Sequence, residues 1–210
     1  MPTGKIILLN GSSSSGKTTL SHALQKAFKE PYQHIALDQF RDGMPGRYRG
    51  LNSPHGTPGS EGLNIVPVDL DGGRVTEIRF GEMGKNMLKA MRRAIRTFVL
   101  EGQNVIIDDI LFEMDFLRDY LYVLKDIEVL FVGVRCALET VNARERTRSG
   151  RFPGTATSHF EIVHHNLGYD LEVDTRLSSP ESCALQIVEF MQTQTGNCAF
   201  ERLRTRYDIC

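Results

Sequence analysis

Tryptophan is absent from the 210 residues, and only 4 of them are cysteine. Cys136, Cys183, Cys198 and Cys210 are far apart and form no C-x-x-C pair, so neither a disulfide framework nor a zinc site is expected. Long apolar runs are lacking too. The N-terminal run Ile6–Leu9 is much shorter than the roughly 7–15 apolar residues of a secretory signal. No segment approaches the roughly 20 apolar residues of a membrane-spanning helix, so no membrane partner is expected and the expected compartment is the cytoplasm. Charge of one sign is lacking: 25 Lys+Arg stand against 26 Asp+Glu, a net charge of -1. That balance excludes a broadly basic nucleic-acid surface, though not a local basic patch.

What is present is ordinary for a folded chain. Hydrophobic residues make up 40% and charged residues 24%, outside the range of disordered sequences. A chain this long can bury roughly 70% of its unfolded surface without a disulfide or metal staple. Strand and helix signals alternate. Lys5–Asn10 reads as a strand buried on both faces, Thr18–Lys29 as a helix, and Gln33–Leu37 as a second strand. Met83, Met87, Met91 and Ile95 recur every four residues, which predicts a helix over Glu82–Leu100 stopped by Gly102. Strands are expected at Val105–Ile107, Ile127–Val134 and Leu171–Val173. Helices are expected at Met114–Leu124, Leu138–Arg148, Ser158–Leu167 and from Ser179-Pro180-Glu181 to about Met191. This order predicts an α/β fold with a parallel sheet covered by helices on both faces. Only Gly43–Gly62, with six glycines and three prolines, breaks the rhythm and reads as a long loop.

Chemistry concentrates after the first strand. Gly11-Ser12-Ser13-Ser14-Ser15-Gly16-Lys17-Thr18 is a complete G-x-x-x-x-G-K-[ST] between a buried strand and a helix. In that setting backbone N–H groups and the helix start surround phosphate oxygens. Lys17 reaches the terminal phosphates and the Thr18 hydroxyl can ligate Mg²⁺; Thr19 is counted with the nucleotide contacts. Val105-Ile106-Ile107-Asp108-Asp109 has the form of a strand whose terminal acids position Mg²⁺. Either aspartate could face the ion, Asp108 continuing the strand more directly. Arg144, Arg148 and Arg151 end a helix and read either as a solvated face or as a lid that neutralises charge on a transferred phosphoryl group. Asp38, just beyond the second strand, reads either as a helix cap or as a base that takes a proton from an attacking hydroxyl. His164-His165 reads as structural, and His22, His34, His55 and His159 show no metal-site spacing.

On these residues the sequence resembles the chloramphenicol phosphotransferase family of P-loop kinases. The matching stretches are Ile6–Thr18, Asp38 with Met44-Pro45, Val105–Leu111, Val132–Cys136, Arg144-Glu145, Arg148, Arg151, Val163-His164 and Tyr169–Thr175. The resemblance implies a P-loop kinase-type three-layer fold and transfer of the ATP γ-phosphate to an alcohol, with ATP and Mg²⁺ as cofactors. Within the family the acceptor is the primary hydroxyl of chloramphenicol, an antibiotic. The resemblance further implies that Asp38 is the general base and that Lys17, Arg144 and Arg148 stabilise the phosphoryl group.

Residues 1–195 are accordingly expected to form the phosphotransferase domain. Its acceptor loop is expected at about 40–80 and its arginine lid at about 144–158, with a C-terminal tail at 196–210. Gly43–Gly73 departs from the family pattern where the acceptor pocket should form, and Phe40 and Tyr48 are its candidate apolar walls. Two alternatives remain open at this stage. One is a nucleotide-dependent switch whose Gly43–Gly62 loop presents a partner surface. The other is a nucleotide or polynucleotide kinase using Arg41, Arg47 and Arg49, although the arginine cluster lacks the interleaved aromatics of a nucleic-acid surface.

Overall fold

The computed structural model describes residues 2–70, 73–147, 152–193 and 198–209. Strand β1 (Ile6–Asn10) leads through the phosphate loop into helix α1 (Lys17–Ala27). Strand β2 (Tyr32–Ala36) runs directly into a short helix, α2 (Leu37–Asp42). Then come β3 (Arg49–Leu51), α3 (Pro58–Glu61), β4 (Leu63–Leu70) and β5 (Gly73–Phe80). Helix α4 (Glu82–Leu100) precedes β6 (Asn104–Asp109), α5 (Met114–Val123), β7 (Val129–Arg135) and α6 (Leu138–Thr147). The chain continues through α7 (Thr155–His159), β8 (Leu171–Asp174), α8 (Pro180–Thr193) and α9 (Ala199–Arg206).

Five strands form a parallel sheet in the order β2-β6-β1-β7-β8. Because side chains alternate along a strand, each central strand feeds two cores. Ile6, Leu8, Val105, Ile107, Val129 and Phe131 pack with α4, α5 and α9 on one face. Ile7, Leu9, Ile106, Leu130, Val132 and Val134 pack with α1 and α8 on the other. The sheet is therefore apolar on both sides, as the uninterrupted run in β1 requires.

The segment that reads as a long loop holds part of a second, three-stranded sheet in the order β3-β4-β5. β4 and β5 are antiparallel, pairing Leu63 with Phe80 and Ile65 with Ile78, so these four side chains share one face. Pro67 lies beyond the β3 pairing, which covers only Leu63–Ile65 of β4, so it falls where β4 has a strand on one side only.

Three other expectations change. The helix expected over Ser158–Leu167 is instead the short α7 and a 3₁₀ turn at Ile162–His164. β6 carries Asp108 and Asp109 within the strand rather than after it. The segment expected to be a tail carries α9, whose Ala199, Phe200 and Leu203 are buried, with Phe200 edge-on to Phe131 at 5.4 Å. Among the described residues, no helix is long and apolar enough to cross a membrane.

Candidate active site

The carboxyl ends of β1, β2 and β6 converge on a cleft of about 590 Å³ lined by Ser13, Ser14, Gly16, Lys17, Thr18, Thr19, Asp38, Asp108 and Arg144, among others. In an open parallel sheet this edge is where ligands bind. The phosphate loop turns there on two left-handed residues, Ser14 at φ 61° and Gly16 at φ 100°. Gly11 has no room for a side chain, since a Cβ there would lie 2.5 Å from the Val134 carbonyl. The hydroxyls of Ser13, Ser14 and Ser15 are buried and have no hydrogen-bond partner. Buried orphan hydroxyls are rare, and here they belong to a loop whose form suits anions.

Lys17 is buried, and its ammonium donates to the carbonyls of Gly11 and Ser12, both at 2.9 Å. Thr18 Oγ1 donates to Asp108 Oδ2 at 2.6 Å, and Lys17 Nζ lies 3.8 Å from Asp108 Oδ1. Burial by itself would raise the Asp108 carboxyl. The Lys17 charge, the His34 ring 3.7 Å away and the hydrogen bond from Thr18 outweigh it and hold the group below the usual carboxylate range.

The sequence leaves open which of Asp108 and Asp109 faces the metal, and strand alternation places Asp109 on the opposite face, with Ile107. There its Oδ2 accepts from Tyr120 Oη at 2.8 Å and its Oδ1 from the Ile110 N–H at 2.7 Å, with Arg92 Nη2 3.9 Å away. Asp108 shares the face of Ile106, on which α1 packs, and so meets the phosphate loop.

Asp38 sits in the first turn of α2, its Oδ1 accepting from Arg41 Nη1 at 2.8 Å. Besides the large cleft it lines an adjoining cavity of about 240 Å³, whose walls include Leu63, Ile65, Ile78, Phe80, Phe112 and Phe152. Leu37, Asp38 and Ile110 border both spaces. The expected Phe40 and Tyr48 walls are not found at this cavity. Phe40 instead lines a separate groove with Met44, Pro45, Met83 and Met87, and Tyr48 packs on the core.

Arg144 reaches the loop from α6. Its Nη1 donates to the Ser15 carbonyl at 3.3 Å and Thr175 Oγ1 at 3.2 Å, and its Nη2 to the Thr175 carbonyl at 2.9 Å. Arg148 and Arg151 lie outside the described residues. The sites expected for nucleotide and Mg²⁺ have suitable groups: the buried Lys17 ammonium with the orphan hydroxyls of Ser13, Ser14 and Ser15, and hard oxygens from Thr18 and Asp108. Among the described residues no cluster of three or more His, Cys, Asp or Glu could hold a metal. Mg²⁺ fits such a sparse set, since it takes one or two protein carboxylates and completes its shell with phosphate and water.

Residues 4–192 match the chloramphenicol phosphotransferase-like protein family. The chain belongs to that family. Two proteins from strains of Mycobacterium tuberculosis, provisionally named O-phosphotransferases, are 33% identical to it over 207 residues, covering 99% of this chain and 91% of theirs. Among solved structures, the M. tuberculosis APS kinase in complex with AMPPNP and APS superposes with a TM-score of 0.63 at 14% identity, covering 92% of this chain and 100% of that one. A tunicamycin resistance protein of Deinococcus radiodurans gives 0.56 at 18% identity, covering 91% and 97%. A gluconokinase of Sinorhizobium meliloti gives 0.52 at 15%, covering 91% and 98%. The fold is that of P-loop kinases, and family and fold together mark a kinase-type phosphotransferase.

One residue of this family member's site had no sequence signal. His159, at the end of α7, is buried, and its Nε2 accepts a hydrogen bond from the Ser13 N–H at 3.0 Å. A backbone N–H can only donate, so Nε2 carries no proton and the neutral ring is protonated at Nδ1. Burial, and then the Lys17 charge, pushes its pKa down to about 3. His164, bonded through Nδ1 to Tyr169 Oη at 2.7 Å, is pushed down to about 4 by burial and then by Arg135.

Between the ordinary histidine value of 6.5 and these depressed values, the unfolded chain binds more protons than the folded one. Stability is complete above pH 6.5 and falls on acidification, by about 3 kcal/mol from His159 alone between pH 6.5 and 4. Urea unfolding measured across that range should show the loss, and His159→Gln should remove the His159 share of it.

Proposed function

We propose that the protein transfers the γ-phosphoryl group of ATP, with Mg²⁺, to a hydroxyl of a small molecule whose body is largely apolar. The observation that carries this is the position of Asp38, on the border between the phosphate-loop cleft and the apolar cavity. An acceptor in the cavity would present its hydroxyl to the Asp38 carboxylate. That oxygen attacks the γ-phosphorus, its proton passes to Asp38, and the bond to the β-bridging oxygen breaks to release ADP.

Lys17 would leave the carbonyls of Gly11 and Ser12 for the terminal phosphates. Arg144, with Arg148 and Arg151 as further lid cations, would offset the charge on the phosphoryl oxygens. Mg²⁺, held by Thr18 and Asp108, would neutralise and orient the β- and γ-phosphates. The cavity wall also carries Arg41 and Arg49; Arg41 is committed to Asp38 and Asp42 at 2.8 and 2.9 Å, so a phosphate-bearing acceptor would have to rely on Arg49. The AMPPNP of the APS kinase structure and the provisional names of the mycobacterial relatives support the same reaction class. The proposed compartment is the cytoplasm, where ATP and Mg²⁺ are at hand.

The acceptor half of the site can be tested by filling the cavity. Ile78→Trp should raise the acceptor KM on the order of tenfold or more while leaving ATP affinity within about twofold. Steady-state kinetics against a panel of apolar alcohols that includes chloramphenicol would measure both. Equal damage to ATP binding would place the acceptor elsewhere.

A further inference from the structure

Helix α7 joins the two halves of the site. Its N-terminal turn is held by the buried Glu145 carboxylate, which accepts from the N–H groups of Gly154 at 2.8 Å and Ala156 at 3.1 Å. The residues leading into it are tied to β5, the outer strand of the second sheet. Thr76 Oγ1 donates to the Pro153 carbonyl at 2.8 Å, and the Thr76 N–H to the Gly154 carbonyl at 3.4 Å. Phe152 and Thr155 line the apolar cavity. At the other end of α7, His159 stacks on Phe112 of the cavity wall, with ring centroids 5.7 Å apart, and accepts from Ser13 of the phosphate loop.

The loop residue after Ser13 needs such support. Ser14 holds a left-handed φ of 61°, which a residue with a Cβ keeps only where its surroundings fix it. Ser13 is held by His159 on one side of it. On the other, the Ser15 carbonyl accepts from Thr175 Oγ1 at 2.6 Å and from Arg144. The Ser13 N–H points to His159 and is thereby committed away from phosphate.

We propose that His159 is a positioning residue for phosphoryl transfer: its Nε2 and ring face tie Ser13 of the phosphate loop to Phe112 of the acceptor cavity. The proposal rests on phosphoryl transfer to an acceptor hydroxyl at Asp38. Losing the tie leaves most N–H donors of the loop in place but frees the register between γ-phosphate and acceptor. The effect therefore falls on kcat rather than on nucleotide affinity.

The test compares His159→Leu, which removes the acceptor atom, with His159→Gln, whose side-chain carbonyl can restore it. Leu should lower kcat about 10- to 100-fold, as small misplacements at a reacting centre do. ATP Kd, read by titration calorimetry, should stay within about threefold. Amide hydrogen exchange of nucleotide-free protein should show the Ser13 protection falling about tenfold in the Leu variant, the scale of one neutral hydrogen bond. Gln should return both kcat and protection to near the native values. Native kcat in the Leu variant would overturn the proposal. So would a Gln variant that regains Ser13 protection yet stays as slow as Leu. A native protein that phosphorylates no acceptor would sink the transfer reaction itself, while Ser13 protection in the two variants would still report whether His159 holds the loop.

Discussion

Asp38→Asn should lose about 10²–10⁴-fold of its transfer rate, the range that a positioned general base supplies. The amide has nearly the shape of the carboxylate and can still accept from Arg41, so α2 and the cavity wall should stay in place. What it lacks is the capacity to take the acceptor's proton as the new P–O bond forms. ATP affinity should change little, because Asp38 belongs to α2, beyond β2, and not to the phosphate loop or the proposed Mg²⁺ site. The useful comparison is kcat beside nucleotide Kd in the same preparation. A variant that binds ATP normally and turns over at the native rate would remove Asp38 from the chemistry.

Replacing the two neighbouring aspartates should give opposite phenotypes. Asp109→Ala should destabilise the fold by about 3–5 kcal/mol, the scale for breaking a buried charge pair. Asp109 and Arg92 are 0% and 1% exposed, and Arg92 also stacks its guanidinium over Phe116 and Tyr120 at 4.9 and 4.7 Å. Removing the carboxylate leaves a buried guanidinium with Asp119, 3.2 Å away, as its one carboxylate partner among the described residues. Tyr120 Oη would lose its acceptor as well. Asp108→Asn keeps an acceptor for Thr18 and leaves Lys17 on the carbonyls of Gly11 and Ser12, so it should cost less stability than Asp109→Ala. Its loss should appear instead in the Mg²⁺ dependence of nucleotide binding. Urea unfolding of both variants, with nucleotide titrations in the presence and absence of Mg²⁺, separates the two roles. If Asp109→Ala were the variant that lost Mg²⁺ dependence, Asp109 rather than Asp108 would face the phosphate loop.

These residues also show what could be read without a structure. The helix over Glu82–Leu100 was legible to the residue, because its four-residue methionine repeat is long and Gly102 follows it. The phosphate loop was legible because its chemistry is local: glycines, lysine and threonine at fixed spacing between a strand and a helix. The second sheet was not. Ile78 and Phe80 alternate with polar neighbours as a strand should, but glycines around them and Pro67 within β4 argue for a loop. Only the pairing pattern shows that Pro67 falls where β4 lacks a second neighbour. The cavity walls are lost with that sheet, and Phe40 and Tyr48 stand in the sequence reading where Leu63, Ile65, Ile78 and Phe80 stand in the fold.

Asp108 and Asp109 read as a pair because sequence alone does not say which core each face of β6 meets. The alternation is there, and the packing of α1 on the Ile106 face decides it. His159 is a different case. A single histidine in a segment of mixed polarity gives no periodic signal, and its partner Ser13 lies 146 positions away. α9 likewise buries only Ala199, Phe200 and Leu203, too short a stripe to stand out in a polar C-terminal segment.

The central claim is that the γ-phosphate leaves the nucleotide for an alcohol oxygen brought up to Asp38. Incubating the native protein and Asp38→Asn with γ-labelled ATP, Mg²⁺ and a pool of small hydroxyl-bearing molecules follows that group directly. A labelled phosphate ester formed by the native protein and nearly absent with Asp38→Asn is the expected result. Label recovered only as inorganic phosphate, or an ester formed equally well by both proteins, would contradict it.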